Sequence, residues 1–382
     1  MPNFYEFFAG GGMARAGLGQ TWTCLFANDF DPTKAKAYRD NWGKDHLVVD
    51  DVATIKPSQL PGIADLSWAS FPCQDLSLAG AGAGLKGARS GTFKPFWQLM
   101  KGLIAEERAP KVVVLENVTG ALTSHQGKDF AAICASLVNG GYKVGALIVD
   151  AIHFLPQSRP RLFVIAARND LQIAKHLQSD KPDKSWHSRA LVNAYSKISK
   201  KSQKNWIWWK LPEPPTRMCS LEGIVEKNPS GVTWHTAKET LDLIALMNNV
   251  HKKKLEEARA SGGQMFGTVY RRTRKEGPEK KKVQRAEVRF DGVAGCLRTP
   301  AGGSSRQTLL VVEGEKTKSR LLSPREAARL MGLEDGYRLP SNYNDAYHLA
   351  ADGVAVPAVR FLTEYLIEPL VQYEAQDQKK AA

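Results

Sequence analysis

Leu66-Ser67-Trp68-Ala69-Ser70-Phe71-Pro72-Cys73-Gln74 is a short, nearly continuous apolar run closed by a proline, the pattern of a strand buried on both faces of a parallel sheet. The same pattern recurs at Phe4 to Phe8, Thr23 to Ala27, Leu47 to Val49, Val112 to Leu115, Lys143 to Val149 and Leu162 to Ala167. Between these runs lie helix-like stretches. Asp31-Pro32 opens one that ends near Trp42, with Asp as N-cap and Pro at the first helical position. Phe93 to Ala105 and Lys128 to Val138 supply two more. Short apolar strands alternating with amphipathic helices predict an α/β fold with a mostly parallel sheet covered on both faces, whose ligands gather at the carboxyl ends of the strands.

After Arg168-Asn169-Asp170 this rhythm stops and lysine-rich, proline-punctuated sequence takes over. A helix is predicted from Ala237 to about Ala260, opened by a Thr236-x-x-Glu239 capping box. The run Arg271-Arg272-Thr273-Arg274-Lys275 through Lys280-Lys281-Lys282 is broken at Gly277-Pro278, which suggests a loop, and Trp206-Ile207-Trp208-Trp209 reads as packing rather than base stacking. Helical order returns at Ser323-Pro324-Arg325-Glu326, a second capping box, where the first domain is expected to resume. The expected division is a catalytic domain of residues 1–170 plus 319–382 and an inserted domain of 171–318, with the Lys379-Lys380 tail disordered.

The chain of 382 residues carries a formal charge of +14. Residues 171–320 hold 30 Lys and Arg against 15 Asp and Glu, whereas the remainder holds 23 against 24. A basic module beside a near-neutral one fits a lobe that grips a polyanion while the other performs chemistry. The five cysteines are far apart, without a C-x-x-C pair or zinc spacing, so neither a disulfide framework nor a metal site is expected. No basic-apolar leader and no long apolar run follows Met1-Pro2-Asn3, so a cytoplasmic protein without a membrane span is expected.

The first strand runs into Phe8-Ala9-Gly10-Gly11-Gly12-Met13. Glycines at such a bend let a ligand approach the backbone beside a helix N-terminus. The second strand ends in Asn28-Asp29-Phe30, where an acid in dinucleotide-type folds accepts the hydroxyls of a ribose. Asp51 closes the third strand. Together these ends describe a nucleoside-containing cofactor; a redox dinucleotide stays open, although Gly10 to Met13 is not G-x-G-x-x-G. Cys73 and Glu116-Asn117-Val118 each follow a buried strand, and Gln157-Ser158-Arg159-Pro160-Arg161 leads into another. Thiol, carboxylate and guanidinium are thus expected at one sheet edge.

That ordered set, Gly-rich turn, Pro72-Cys73-Gln74, Glu116-Asn117-Val118, Gln157-x-Arg159-x-Arg161, then Arg325-Glu326-Ala327-Ala328-Arg329-Leu330 after a variable basic segment, resembles the C5-cytosine DNA methyltransferase family over nearly the whole chain. The resemblance implies a Rossmann-like methyltransferase sheet with a smaller inserted target-recognition domain. It implies S-adenosylmethionine held by Phe8, Ala9, Gly10, Gly12, Asp29, Phe30, Asp51 and Pro72. Cys73 would attack C6 of a flipped cytosine, Glu116 would hold N3 and the amine, Arg161 would hold O2, and Arg159 would act on neighbouring backbone or loop. Gln74 and Ser77 would belong to the active-site loop. Arg298, Arg306 and Gln307 would be the candidates to contact DNA from the loop Arg298 to Thr308. Where the family has Gly-Asn before its final helix, this chain reads Ala351-Asp352-Gly353-Val354, so the cofactor contact at Asp352 and Val354 is altered. Double-stranded DNA is the implied partner and a monomer the default. The alternatives are an RNA (tRNA) cytosine-5 methyltransferase and a catalytically silent DNA-binding regulator on the same fold.

Overall fold

The structure is a computed structural model that describes residues 1–71, 92–299 and 305–372. Pro72, Cys73, Gln74, Ser77, the stretch from Asp75 to Gly84, residues 300–304 and the Lys379-Lys380 tail lie outside the described residues. The chain forms two compact units: Met1–Asp150, Pro160–Pro215 and Gly353–Ala382 make the first, Ala151–Arg159 and Thr216–Asp352 the second.

The first unit is an α/β domain around a seven-stranded sheet. Its strands are β1 (Asn3–Phe7), β2 (Thr23–Asp29), β3 (Leu47–Val49), β4 (Leu66–Ala69), β5 (Val112–Val118), β6 (Tyr142–Asp150) and β7 (Pro160–Arg168), in the order β3-β2-β1-β4-β5-β7-β6. β1 pairs in parallel with both β2 and β4, and β4 with β5. Only β7 runs against its neighbours β5 and β6. The strand order reverses direction between β1 and β4, the place where such sheets open a crevice for ligands. Helices α1 (Met13–Leu18), α2 (Pro32–Trp42), α3 (Phe93–Ala105) and α4 (Lys128–Asn139) accompany the strands. The Asp31 carboxylate caps α2 by accepting from Thr33 N and Lys34 N, with Pro32 at the first position. Phe93, Phe96, Trp97, Met100 and Leu103 of α3 and Phe130, Ile133, Cys134 and Leu137 of α4 pack with Tyr5, Phe7, Val113, Leu115, Val144 and Val164 of the strands.

Strand ends differ from the apolar runs in one respect that matters: Glu116 and Arg161 lie inside β5 and β7 rather than beyond them. Residues 171–215 also belong to the first unit, not to the inserted domain. Ile207 N donates to Val144 O at 2.9 Å and Val144 N to Asn205 O at 2.9 Å, while Trp209 Nε1 donates to Ile165 O at 3.2 Å. Gly145 leaves room for this; a β-carbon there would run into the Ile207 carbonyl and the Trp209 indole. The tryptophan cluster is thus packing, as its sequence suggests.

In the second unit β10 (Gln264–Glu276), β11 (Lys281–Arg289), β12 (Thr308–Glu313) and β13 (Lys316–Leu321) form an antiparallel sheet in the order β11-β10-β12-β13; a two-residue pair, β8 (Gln178–Ser179) with β9 (Trp208–Trp209), belongs to the first unit. The helix expected from Ala237 to about Ala260 is two, Ala237–Ala245 and Asn249–Ala260. The break is local chemistry: the Asn248 side chain accepts from His251 N and starts a new helix. Leu243, Met247, Leu255 and Ala258 pack on Val269, Val288, Leu310 and Val312 of the sheet.

The segment from Ser319 to Asp352 stays with the second unit instead of rejoining the first. A buried ion pair fastens the helix Pro324–Arg329 to the end of β13. Arg320 donates to both oxygens of Glu326 at 2.6 and 2.7 Å, and both side chains are fully buried. Glu326 also closes the Ser323 capping box and accepts from Glu226 N at 2.8 Å. Breaking a buried pair costs about 3–5 kcal/mol because one charge is left uncompensated, whereas replacing both with apolar groups is close to neutral. Arg320→Met is therefore expected to lower the denaturant midpoint strongly, and Arg320→Met with Glu326→Leu to recover most of the loss; equal losses would contradict this account.

Candidate active site and cofactor cradle

Because β7 is antiparallel to β5, its first residues return to the carboxyl end of β5. Val118 pairs with Arg161 and Glu116 with Phe163; residues two apart share a face, so Arg161 lies on the Glu116 side. The Arg161 Nε to Glu116 Oε1 distance is 3.2 Å, with both side chains largely buried. A charge-assisted contact of this kind fixes the orientation of the carboxylate.

One residue nearer the strand end, Asn117 Nδ2 donates to Phe71 O at 3.2 Å and its Oδ1 accepts from Val118 N at 2.8 Å. Phe71 is the last described residue before Pro72-Cys73. Asn117 thereby ties the chain leading to the thiol against the strand that carries the carboxylate, a role its place in the Glu-Asn-Val tripeptide did not announce.

The Gly-rich turn emerges beside it, since Phe7 and Ala69 are paired at the ends of β1 and β4. Phe8 is held at φ 56°, a conformation costly for an aromatic residue and typical of functional turns. Gly10 (φ +55°) faces open space within 4 Å, whereas a β-carbon on Gly12 (φ +75°) would strike the Trp42 indole. One glycine leaves the cradle open and the other lets the turn press on α2. Ala9 is buried. Asp29 accepts from Gly10 N at 2.7 Å and from Asp31 N at 2.9 Å, and burial raises its carboxyl above the usual range despite those two bonds. The neighbouring Phe30 ring is 67% exposed, a large apolar face left for a planar partner. Asp51 is exposed, its Oδ1 accepting from Ala53 N at 2.9 Å. Gly353 packs on the Met13 thioether so closely that a β-carbon would clash, and Val354 is buried beside it in sequence. Asp352 is exposed at the end of the helix Tyr343–Asp352 in the second unit. An open glycine turn, a carboxylate at the next strand end and a bare aromatic ring fit a nucleoside cofactor.

The second unit holds Arg159, only 2% exposed. Its guanidinium donates to Leu297 O at 3.2 Å, Ala351 O at 2.7 Å and Cys296 Sγ at 3.3 Å. Gln157, fully buried, donates to Leu330 O at 2.6 Å and accepts from Leu297 N at 3.1 Å. Both are braces that gather distant backbone. Of the DNA-contact candidates, Arg298 is exposed. Arg306 stacks on the Tyr343 ring, 5.4 Å from its centroid, and donates to Asn344 Oδ1. Gln307 is 0% exposed, which corrects its assignment as a base contact: its backbone N donates to Tyr347 OH at 3.2 Å, and the side chain points inward at the root of β12.

Glu6 escaped the sequence reading. It lies in β1, 1% exposed, with Oε1 accepting from Arg15 N at 3.3 Å and Oε2 without a hydrogen-bond partner. Burial pushes its carboxyl up to about 8. Arg15 lies 5.0 Å from the Trp42 ring centroid and donates to Tyr38 OH at 3.0 Å, and Trp42 Nε1 donates to Gly11 O at 2.9 Å. Through Arg15 and Trp42, Glu6 supports the glycine turn. An acid inside an apolar strand preceding a Gly-rich turn was the available signal.

The family model for C-5 cytosine-specific DNA methylases matches residues 2–368. The chain belongs to that family and is a DNA (cytosine-5) methyltransferase. Among its relatives, the Type II methyltransferase M.BsuFI of Bacillus subtilis is 27% identical over 381 residues, 99% of this chain and 75% of that protein. M.HhaI of Haemophilus parahaemolyticus is 25% identical over 362 residues, 94% and 92% of the two chains. Among solved structures, the S. pombe Dnmt2 methyltransferase superposes with a TM-score of 0.61 over 98% of this chain and 99% of that one, at 16% identity, a likeness of fold.

A Glu that stays neutral in the fold up to about 8 but ionises near 4.5 when unfolded contributes stability that is complete below 4.5 and is lost as pH rises through 8, because the native state then binds more protons than the unfolded one. Glu6→Gln keeps the neutral shape. Its stability relative to wild type should therefore rise between pH 5 and pH 8, by on the order of 1 kcal/mol per pH unit. Denaturant unfolding at several pH values measures this, and parallel profiles would show that Glu6 is ionised in the fold.

Proposed function

We propose that this protein methylates C5 of a cytosine flipped out of a short double-stranded DNA sequence, using S-adenosylmethionine and a transient bond between Cys73 Sγ and C6. The observation that supports this most directly is the Glu116–Arg161 pair at the carboxyl edge of the sheet, one residue from the Asn117 tether on the chain that precedes Cys73.

Cytosine C5 is a weak nucleophile. Addition of the Cys73 thiolate to C6 breaks the C5–C6 double bond and moves its electrons toward C5 and the N3–C4 system, where the Glu116 carboxyl holds N3 and the exocyclic amine. Arg161 holds Glu116 and offers N–H groups to the base O2. S-adenosylmethionine, when bound, supplies an electrophilic methyl group. Loss of the C5 proton to a base then restores the double bond and releases Cys73 as thiolate. Phe8, Ala9, Gly10, Gly12, Asp29, Phe30, Asp51 and Pro72 would hold the cofactor, with Phe30 against adenine and Asp29 at the ribose. Val354 and Asp352 would hold its other end.

C6 cannot be reached inside a stacked duplex, so the base is extruded at an unstacking cost of a few kcal/mol. The second unit would serve as the target-recognition domain, its basic residues on phosphates and its loop from Arg298 to Arg306 toward base edges. The Type II names of the relatives favour a modification enzyme of a restriction-modification pair acting in the bacterial cytoplasm; a monomer is the default.

Bisulfite sequencing of DNA from a host without cytosine methylation, after expression of this chain or its Cys73→Ala variant, tests the reading. Protected cytosines in one short context, lost in the variant, are the expected result. Full conversion in both samples, with transfer to tRNA in vitro, would move the substrate to RNA. Glu116→Gln should retain DNA binding and lose about 10²–10⁴-fold in kcat, the range for removing a positioned proton-transfer group; a kcat near wild type would remove Glu116 from the chemistry.

A further inference from the structure

The basic run forms two paired strands on either side of a turn at residues 277–280, so the loop expected at Gly277-Pro278 is confined to that turn. β10 and β11 pair without interruption from Thr268↔Arg289 to Glu276↔Lys281, whereas β12 pairs with β10 only between Gln264 and Val269. Beyond Val269 the sheet is therefore a two-stranded ribbon, about 3.4 Å long per residue, and it lies wholly in the second unit.

Its two faces differ in electrostatics. Residues directly opposite in an antiparallel pair share a face. One face carries Arg272 opposite Arg285, Arg274 opposite Val283, and Glu276 opposite Lys281. Here the charges are matched within the ribbon: Glu287 pairs with Arg272 at 3.5 Å and with Arg274 at 2.5 Å, and Glu276 pairs with Arg285. The other face carries Arg271 opposite Ala286, Thr273 opposite Gln284, and Lys275 opposite Lys282. It has no acid, and among the described residues Arg271, Lys275 and Lys282 form no ion pair. All three are exposed. Like charges directly opposite each other destabilise a strand pair, so Lys275 and Lys282 work against the ribbon that carries them. The Arg271 backbone is fixed at the ribbon root, its N–H donating to Ser305 Oγ at 2.8 Å and its carbonyl accepting from the same hydroxyl at 3.1 Å.

We infer that the Arg271, Lys275 and Lys282 face of this ribbon docks on the phosphates of duplex DNA, with Thr273 and Gln284 as neutral donors between the cations. The inference rests on the DNA substrate proposed above. A two-stranded ribbon is narrow enough to follow a major groove, and a polyanion relieves the repulsion that the fold leaves uncompensated.

The test is fluorescence anisotropy of labelled duplex DNA with the full chain over a series of salt concentrations. Each neutralised phosphate contributes a slope of about 0.9 in log affinity against log salt. K275Q/K282Q should lower the slope by about 2 and weaken binding, whereas R274Q, on the matched face, should change it by much less. The double variant should melt at or above the wild-type temperature, which shows that it is folded. An unchanged slope in the double variant, or an equal loss in R274Q, overturns the inference. So does new self-association of the double variant with an unchanged slope, because the lysines would then only guard the ribbon edges. Methylation by the wild-type chain, scored in parallel, separates the two readings. A ribbon-dependent slope without methyl transfer overturns the catalysis and keeps the ribbon, and methyl transfer with a ribbon-independent slope does the reverse.

Discussion

The ion pair between Glu116 and Arg161 exists because one strand of the large sheet runs backwards. In an all-parallel sheet the residues that open a strand lie at the edge opposite to those that close its neighbour. Reversing β7 returns Arg161 to the end of β5, where it meets Glu116 with little water around either group. Each charge would be costly alone at that depth. Together they leave an oriented carboxylate with little water around it, and the Asn117 bond to Phe71 carries the same ordering into the next segment of chain. The glycine turn emerges at the neighbouring strand end, since Phe7 and Ala69 are paired.

The fold was legible in the sequence wherever burial acted on both sides of a strand. The runs at Val112 to Leu115 and Leu162 to Ala167 located β5 and β7, and the Asp31-Pro32 and Ser323-x-x-Glu326 signals located helix starts that the structure reproduces. Glu116 and Arg161 were found because polar residues abutting such runs mark strand ends. Element boundaries were less visible, because the pairing register that draws Glu116 into β5 is a property of two strands. The break at Asn248 depends on a cap that competes with helix continuation only once His251 is in place. Residues 171–215 looked like an independent module by charge alone, yet surface lysines say nothing of the face beneath, where Ile207 and Trp209 lie on β6 and β7. Gln307 and Arg306 appeared equivalent as loop polar residues, and only β12 separates them: one is its buried root and the other stacks on Tyr343.

Charge in the second unit is used in two distinct ways. Arg320 is sealed against Glu326 at full burial and stacks 5.0 Å from the Trp234 ring centroid, so one of its cations serves architecture. Arg271, Lys275 and Lys282 stay exposed on a ribbon face without acids. A net charge summed over the segment cannot separate the two.

The first unit closes on itself across almost the whole chain. Gly17 of α1 lies against Val359, Arg360 donates to Leu18 O at 3.3 Å, and Trp22 Nε1 donates to Glu368 at 3.0 Å. During synthesis the helix that follows the glycine turn therefore waits, with its outer side bare, until more than three hundred further residues have left the ribosome. The four-stranded sheet and its two helices draw on one continuous stretch of sequence and meet no such delay. Long-range contacts form late, so the antiparallel sheet of the second unit is complete before the domain that carries the glycine turn. A nascent chain of this protein passes through a stage at which it holds the exposed basic ribbon but no finished α/β domain.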